Sequence, residues 1–177
     1  NAELRGLLQS ARHLHERVLV GRIINVQQRP WVHRIVVNHG STQGIYRDQP
    51  VLDSDGVMGQ VIETHQHTAS VLLITDPTSA VPVVDTRTQF RSVVVGTGSN
   101  DTLQLRYVTK SNPLKVGDKL YTSGLGETYP AGYPVGQISE IKQTPGERFT
   151  TVTVVPAARL MQSQQILFVW HHGGQHA

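Results

Sequence analysis

Apolar residues recur along this chain with two different periods. Leu4, Leu7, Ala11, Leu14 and Val18 advance in steps of three and four, with Arg5, Arg12, Glu16 and Arg17 between them, which predicts a short amphipathic helix over residues 1–17 carrying an a/d seam. About two heptads are present, so a lone helix packed on the body and the last turns of a longer dimerising coil both fit. From Val18 onward the period shortens to two. In Trp31-Val32-His33-Arg34-Ile35-Val36-Val37, alternation puts Trp31, His33, Ile35 and Val37 on one face, expected to point inwards. About a dozen short strand candidates follow, separated by Gly, Pro, Asn and Asp turns, a spacing that favours barrels or sandwiches over βαβ units. Pro156 to Met161 reads as a single helical turn before the last strand.

One apolar motif occurs twice. Val57-Met58-Gly59-Gln60-Val61-Ile62-Glu63 and Pro134-Val135-Gly136-Gln137-Ile138-Ser139-Glu140 lie 77 positions apart, each after a Gly-containing turn and each before a second β-branched run. A strand-turn-strand device used twice predicts two small β modules.

Composition narrows the function classes. Sixteen Lys and Arg against thirteen Asp and Glu give a net charge of +3, but no dense basic run or basic-aromatic segment makes a nucleic-acid footprint. The absence of cysteine excludes disulfides, thiolate metal sites and a Cys nucleophile. No apolar run approaches the roughly 20 residues of a membrane helix.

Three chemistries deserve weighing. His33, Asp76 and Ser123 stand in the chain order of a chymotrypsin-type triad, the basis of an alternative reading as an envelope serine hydrolase. Tyr121-Thr122 before Ser123 lacks the glycine that would expose the nucleophile, and a Thr-Ser-Gly turn that caps backbone groups explains the same residues. His65-Gln66-His67 and the terminal His171, His172 and His176 could ligate a metal, yet no converging third or fourth ligand is in sight. Gly96-Thr97-Gly98-Ser99-Asn100 lies between strands, where a phosphate cradle needs a helix N-terminus, and reads as a hairpin turn. A glycan-binding module would have only Trp31 and Trp170 as broad stacking platforms. No cofactor is expected.

Several blocks together resemble the MreC family of rod-shape-determining proteins. Val116-Gly117-Asp118-Lys119-Leu120-Tyr121-Thr122-Ser123-Gly124-Leu125-Gly126, followed by Tyr129-Pro130-Ala131-Gly132-Tyr133-Pro134-Val135, is similar to its most distinctive stretch. Gly40-Ser41 with Gly44, the hairpin from Pro50 to Val61, Val71-Leu72-Leu73-Ile74-Thr75-Asp76 and Asn1 to Leu8 match further blocks in order. The resemblance implies a mainly β fold: two small six-stranded β-barrel-type domains, distantly chymotrypsin-like, preceded by a helix that ends a coiled coil. It also implies a non-enzymatic periplasmic scaffold, held to the bacterial inner membrane by one upstream helix. Expected partners are a second copy, MreD, MreB, a class B penicillin-binding transpeptidase and the glycosyltransferase of the elongation complex. We expect 18–46 plus 107–170 to form a discontinuous first barrel, 47–106 an inserted second one, and 171–177 a tail. Tyr107, Tyr121, Tyr129 and Tyr133, which lie at turns, are the expected partner-binding anchors.

Overall fold

A computed structural model describes residues 18–126, 128–160, 162 and 164–170. Leu4, Leu7, Ala11 and Leu14 of the expected seam and the stretch after Trp170 lie outside the described residues. Val18, the last seam position, opens a strand and stands opposite Val169.

Thirteen strands follow one another: β1 Val18–Arg29, β2 Val32–Val37, β3 Pro50–Leu52, β4 Val57–Thr64, β5 Ala69–Leu73, β6 Ala80–Asp85, β7 Arg91–Gly96, β8 Leu103–Leu105, β9 Val108–Thr109, β10 Lys119–Thr122, β11 Pro134–Lys142, β12 Phe149–Pro156 and β13 Gln165–Val169. The first six-stranded barrel closes in the order β1-β13-β3-β4-β5-β2. Its strand β1 serves two neighbours: Val18 to Arg22 pair with β13, and Ile23 to Arg29 pair with β2 after a bulge between Ile23 and Asn25. The second barrel runs β11-β10-β6-β7-β8-β12 and is closed by pairing of β11 with β12; β9 continues along β12 beyond β8.

The fold is therefore mainly β with two six-stranded barrels, but the expected partition is not the one the pairing makes. The first barrel takes β1 to β5 and β13, so 47–73 belongs to it and the chain that interrupts it runs from β6 to β12. Closure of the first barrel depends on Leu167 opposite Leu52 and Phe168 opposite Val51, partners more than a hundred residues apart that no local pattern announces. The expected helical turn after Pro156 is likewise absent from 157–160: Pro156 ends β12 and bends lead on from it.

The twice-used motif is a structural repeat with matched backbone hydrogen bonds. Asp48 N donates to Val61 O and Val61 N to Gln49 O; Gly117 N donates to Ile138 O and Ile138 N to Asp118 O. The turn entering each unit is capped alike, with Tyr46 N on Gln49 Oε1 (3.0 Å) and Lys115 N on Asp118 Oδ2 (2.9 Å), and with Asp48 and Gly117 both left-handed. Each motif ends in the same bulge, between Val61 and Glu63 against β5 and between Ile138 and Glu140 against β12. Gly59 and Gly136 are glycine because the neighbouring strand passes too close for a side chain: a Cβ would lie 1.9 Å from Leu72 O or 2.6 Å from Val155 O. The units differ in one loop. Asp53 N bonds Gly56 O across Ser54-Asp55, whereas the matching bond from Thr122 N to Tyr133 O spans the longer segment 123–132.

Polar contacts tie the first barrel to the β12–β13 connection and to the second barrel. Arg159 N donates to Asp53 Oδ2 (2.6 Å) and its Nε pairs with Asp55 (3.0 Å). The tip of the β1–β2 hairpin leans on the second barrel, Gln28 Nε2 donating to Asn100 Oδ1 (2.7 Å). Among the described residues no helix is long and apolar enough to cross a membrane.

Candidate docking surface

The three triad candidates do not assemble. His33 is buried in β2, and its Nδ1 lies 2.8 Å from Thr75 Oγ1. Asp76 accepts from the His33 backbone amide through Oδ2 (2.8 Å) and from Thr78 N and Oγ1 through Oδ1, so its carboxylate fixes a turn and does not orient an imidazole. Ser123 Oγ accepts from Leu125 N and its own amide donates to Pro82 O; among the described residues it has no hydrogen bond to His33 or Asp76. Nor do the histidines gather: His65 faces Glu63 at 3.5 Å, His67 faces Thr42, and no group of three metal-ligating side chains occurs among the described residues.

Buried charge in the second barrel is structural. Arg87 grips Asp118 through Nε (2.7 Å) and Nη2 (3.0 Å) and also holds Pro113 O. This bidentate pairing, with the Lys115 amide, holds the Asp118 carboxyl well below the usual carboxylate range. Asp85, fully buried beside it, is raised, first by desolvation and then by Asp118, and its Oδ2 has no hydrogen-bond partner among the described residues.

The four tyrosines fall into different environments. Tyr129 and Tyr133 are core residues, 1% and 3% exposed, which corrects their expected role as exposed anchors. The longer loop of the second repeat folds them inwards: Thr122 Oγ1 donates to Pro130 O and accepts from Tyr133 N, pinning both ends of the Tyr-Pro-Ala-Gly-Tyr turn. Among the described residues the Tyr129 hydroxyl has no partner, and burial pushes its ionisation above the usual range. Tyr121 is half-buried and borders a surface hollow of about 250 Å³ with Lys119, Gln137 and Pro156. Tyr107 alone of the four is widely exposed, at 72%.

Tyr107 heads a cluster that sequence reasoning reached only in part. β8 and β9 pair with the same strand, β12, and the two residues between them, Arg106-Tyr107, turn outwards with Tyr107 at φ 55°. The Tyr107 ring lies 5.5 Å from that of Phe149, itself 39% exposed; Arg106 stands over Tyr107 at 5.9 Å and Arg148 over Phe149 at 5.8 Å. Phe149, Arg106 and Arg148 gave no signal as a group, since only the pairing of β9 with β12 brings positions forty residues apart together. Further exposed apolar side chains are Ile24 and Val26 on the outer half of β1 and Trp31 in its hairpin turn, where it leaves the inward face it was expected to share with His33, Ile35 and Val37.

Comparison with known proteins agrees with this architecture. A family model described as "Rod shape-determining protein MreC, barrel core" matches residues 23–170. The cell shape-determining protein MreC of Escherichia coli (strain K12) is 37% identical over 170 residues, which cover 96% of this chain and 46% of that protein. The chain thus spans about half the length of the curated relatives it matches. A crystal structure of MreC from Pseudomonas aeruginosa superposes with TM-score 0.84 at 42% identity, covering 88% of this chain and all of that one. The MreC solved in complex with penicillin-binding protein PBP2 from Helicobacter pylori shares the fold, with TM-score 0.65 at 15% identity over 86% of this chain and 98% of that one.

Proposed function

This chain belongs to the MreC family of rod shape-determining proteins, and from that premise we propose that it is a non-enzymatic scaffold of the bacterial cell-elongation machinery. It works by presenting barrel surfaces to proteins that build peptidoglycan. The observation that carries this reading is the contrast between its inside and its outside. Side chains that could perform chemistry, His33, Asp76, Asp85 and Asp118, are buried and tied to turns or to one another, while aromatic and aliphatic side chains stand exposed on strands and turns.

The first partner we assign is a class B penicillin-binding transpeptidase, because a complex of PBP2 with a protein of this fold exists in Helicobacter pylori. The glycosyltransferase partner, MreD, the cytoskeletal protein MreB and a second copy complete the proposed assembly. We place the chain in the periplasm, joined to the inner membrane through a helix upstream of it, and infer that two copies pair.

Rescue of cell shape tests the reading. Cells depleted of their own MreC should recover rods when the full-length protein is supplied, and equally when it carries Ser123→Ala or His33→Gln. Rods rescued by the unaltered protein but not by Ser123→Ala, together with serine labelling by a fluorophosphonate, would instead make it a hydrolase.

A further inference from the structure

Arg106, Tyr107, Phe149 and Arg148 form an exposed row of alternating contacts. Two aromatic rings are held in contact at 5.5 Å on the outside of the second barrel, each overlaid by a guanidinium at just under 6 Å. Tyr107 adopts a left-handed backbone, φ 55°, which is strained for a bulky side chain and is normally left to Gly or Asn. Strain of that kind is ordinarily offset by burial, yet this ring is 72% exposed. What the strained turn achieves is to project the ring beside Phe149 and under Arg106.

Charge gathers at the same end of the barrel. Lys142, opposite Thr151, and Lys110, whose carbonyl accepts from Gln143, join the two arginines, and Glu147 is the one acidic residue within 106–110 and 142–150. The surplus there equals the net +3 of the entire chain. A partner must therefore bring carboxylates to the guanidinium groups and apolar side chains to the rings. Strand β9, two residues long, lies at the end of the sheet order and among the described residues pairs with β12 alone; Thr109 O accepts from Asn112 Nδ2 (2.8 Å), and no second strand covers the edge next to the row. An open edge is matched by extended backbone and is poorly matched by a lipid surface.

We propose that this row docks an extended, acidic segment of a partner protein in which carboxylate and apolar side chains alternate. The proposal rests on the scaffold reading, whose partner it specifies by chemistry. It can be tested with the 177-residue chain, an acetylated peptide of alternating Glu and Val, its Lys-Val counterpart, and vesicles of phosphatidylcholine with phosphatidylglycerol. The Glu-Val peptide should bind, more weakly as salt rises, and should shift the amide resonances of 106–110 and 148–150. The Lys-Val peptide should not bind. R106E with R148E should weaken binding at least about tenfold. Tyr107→Gly, which suits the left-handed backbone, should also weaken binding while the thermal midpoint stays level or rises. The proposal is overturned by peptide binding that ignores R106E/R148E, by no binding at all, by vesicles outcompeting the peptide, or by a fall in midpoint with unchanged binding for Tyr107→Gly. Each of those outcomes leaves shape rescue by the unaltered protein untouched, so the docking row and the scaffold role fail separately.

Discussion

Replacing Tyr129 by Phe removes one heavy atom from the largest fully buried side chain among the described residues. That side chain is 1% exposed and its hydroxyl meets no donor or acceptor among the described residues. Burying a hydroxyl without a hydrogen bond costs about 1–3 kcal/mol on mutational scales. Phe keeps the ring and its contacts, so Tyr129→Phe should stabilise the fold by an amount in that range, a rise in Tm of about 2–4 °C for each kcal/mol in a chain of this size. Tyr129→Ala, which empties the site, should lose about 3–5 kcal/mol. Urea unfolding followed by circular dichroism, with the slope unchanged between variants, measures both. Because burial pushes the phenol upward, Tyr129 should also stay silent in an alkaline absorbance titration until the chain unfolds. Destabilisation of Tyr129→Phe by more than about 0.5 kcal/mol would mean that the hydroxyl is bonded in solution, and would refute the packing described for the loop 123–132.

Other outcomes follow from the same physical picture. Gly59→Ala, whose Cβ would lie 1.9 Å from Leu72 O, should cost on the order of 3 kcal/mol or more and open the first barrel, as read by hydrogen exchange in β4 and β5. Asp118, held low by Arg87, contributes stability that is present above the ordinary Asp value of 3.8 and lost as pH falls towards its depressed folded value; Arg87→Ala should flatten that acid limb of the urea midpoint. Asp85 works in the opposite sense: its stabilisation is present below 3.8 and lost as pH rises through its raised folded value. Asp85→Asn, which mimics the protonated carboxyl, should therefore be at least as stable as the parent at neutral pH and lose that decline. Ser123→Ala should change stability by no more than about 0.5 kcal/mol, because its hydroxyl makes only a 3.3 Å contact within its own turn.

What could be read from the sequence was local. Period-two alternation placed His33, Ile35 and Val37 in the core, and the repeated Gly-Gln motif marked two units whose bulges and turn caps turn out to coincide. Both signals are written within a dozen residues, where side-chain period and close backbone approach act directly. The partition into barrels was misread because Pro50 to Glu63 looked like a self-contained hairpin, whereas β3 gains its second neighbour from β13 at the far end of the chain. Tyr129 and Tyr133 were misread because Pro-Ala-Gly marks an exposed turn, and the long loop that carries them folds back through Thr122. The left-handed Tyr107 separates β8 from β9, and that break, which no local pattern announces, creates the aromatic row. Of the candidate anchors only Tyr107 is fully on the surface, and its neighbours Phe149 and Arg148 are visible only once β9 and β12 are paired.

The claim that everything rests on is that this chain acts by holding other proteins. The most direct test is the affinity between the 177-residue chain and the periplasmic part of the class B penicillin-binding transpeptidase from the same cell, measured by isothermal titration calorimetry. Saturable binding with Kd of about 10 μM or tighter, unchanged by Ser123→Ala, is the predicted result. No heat of binding up to about 100 μM would contradict it, as would a transpeptidase that leaves the mixture covalently altered.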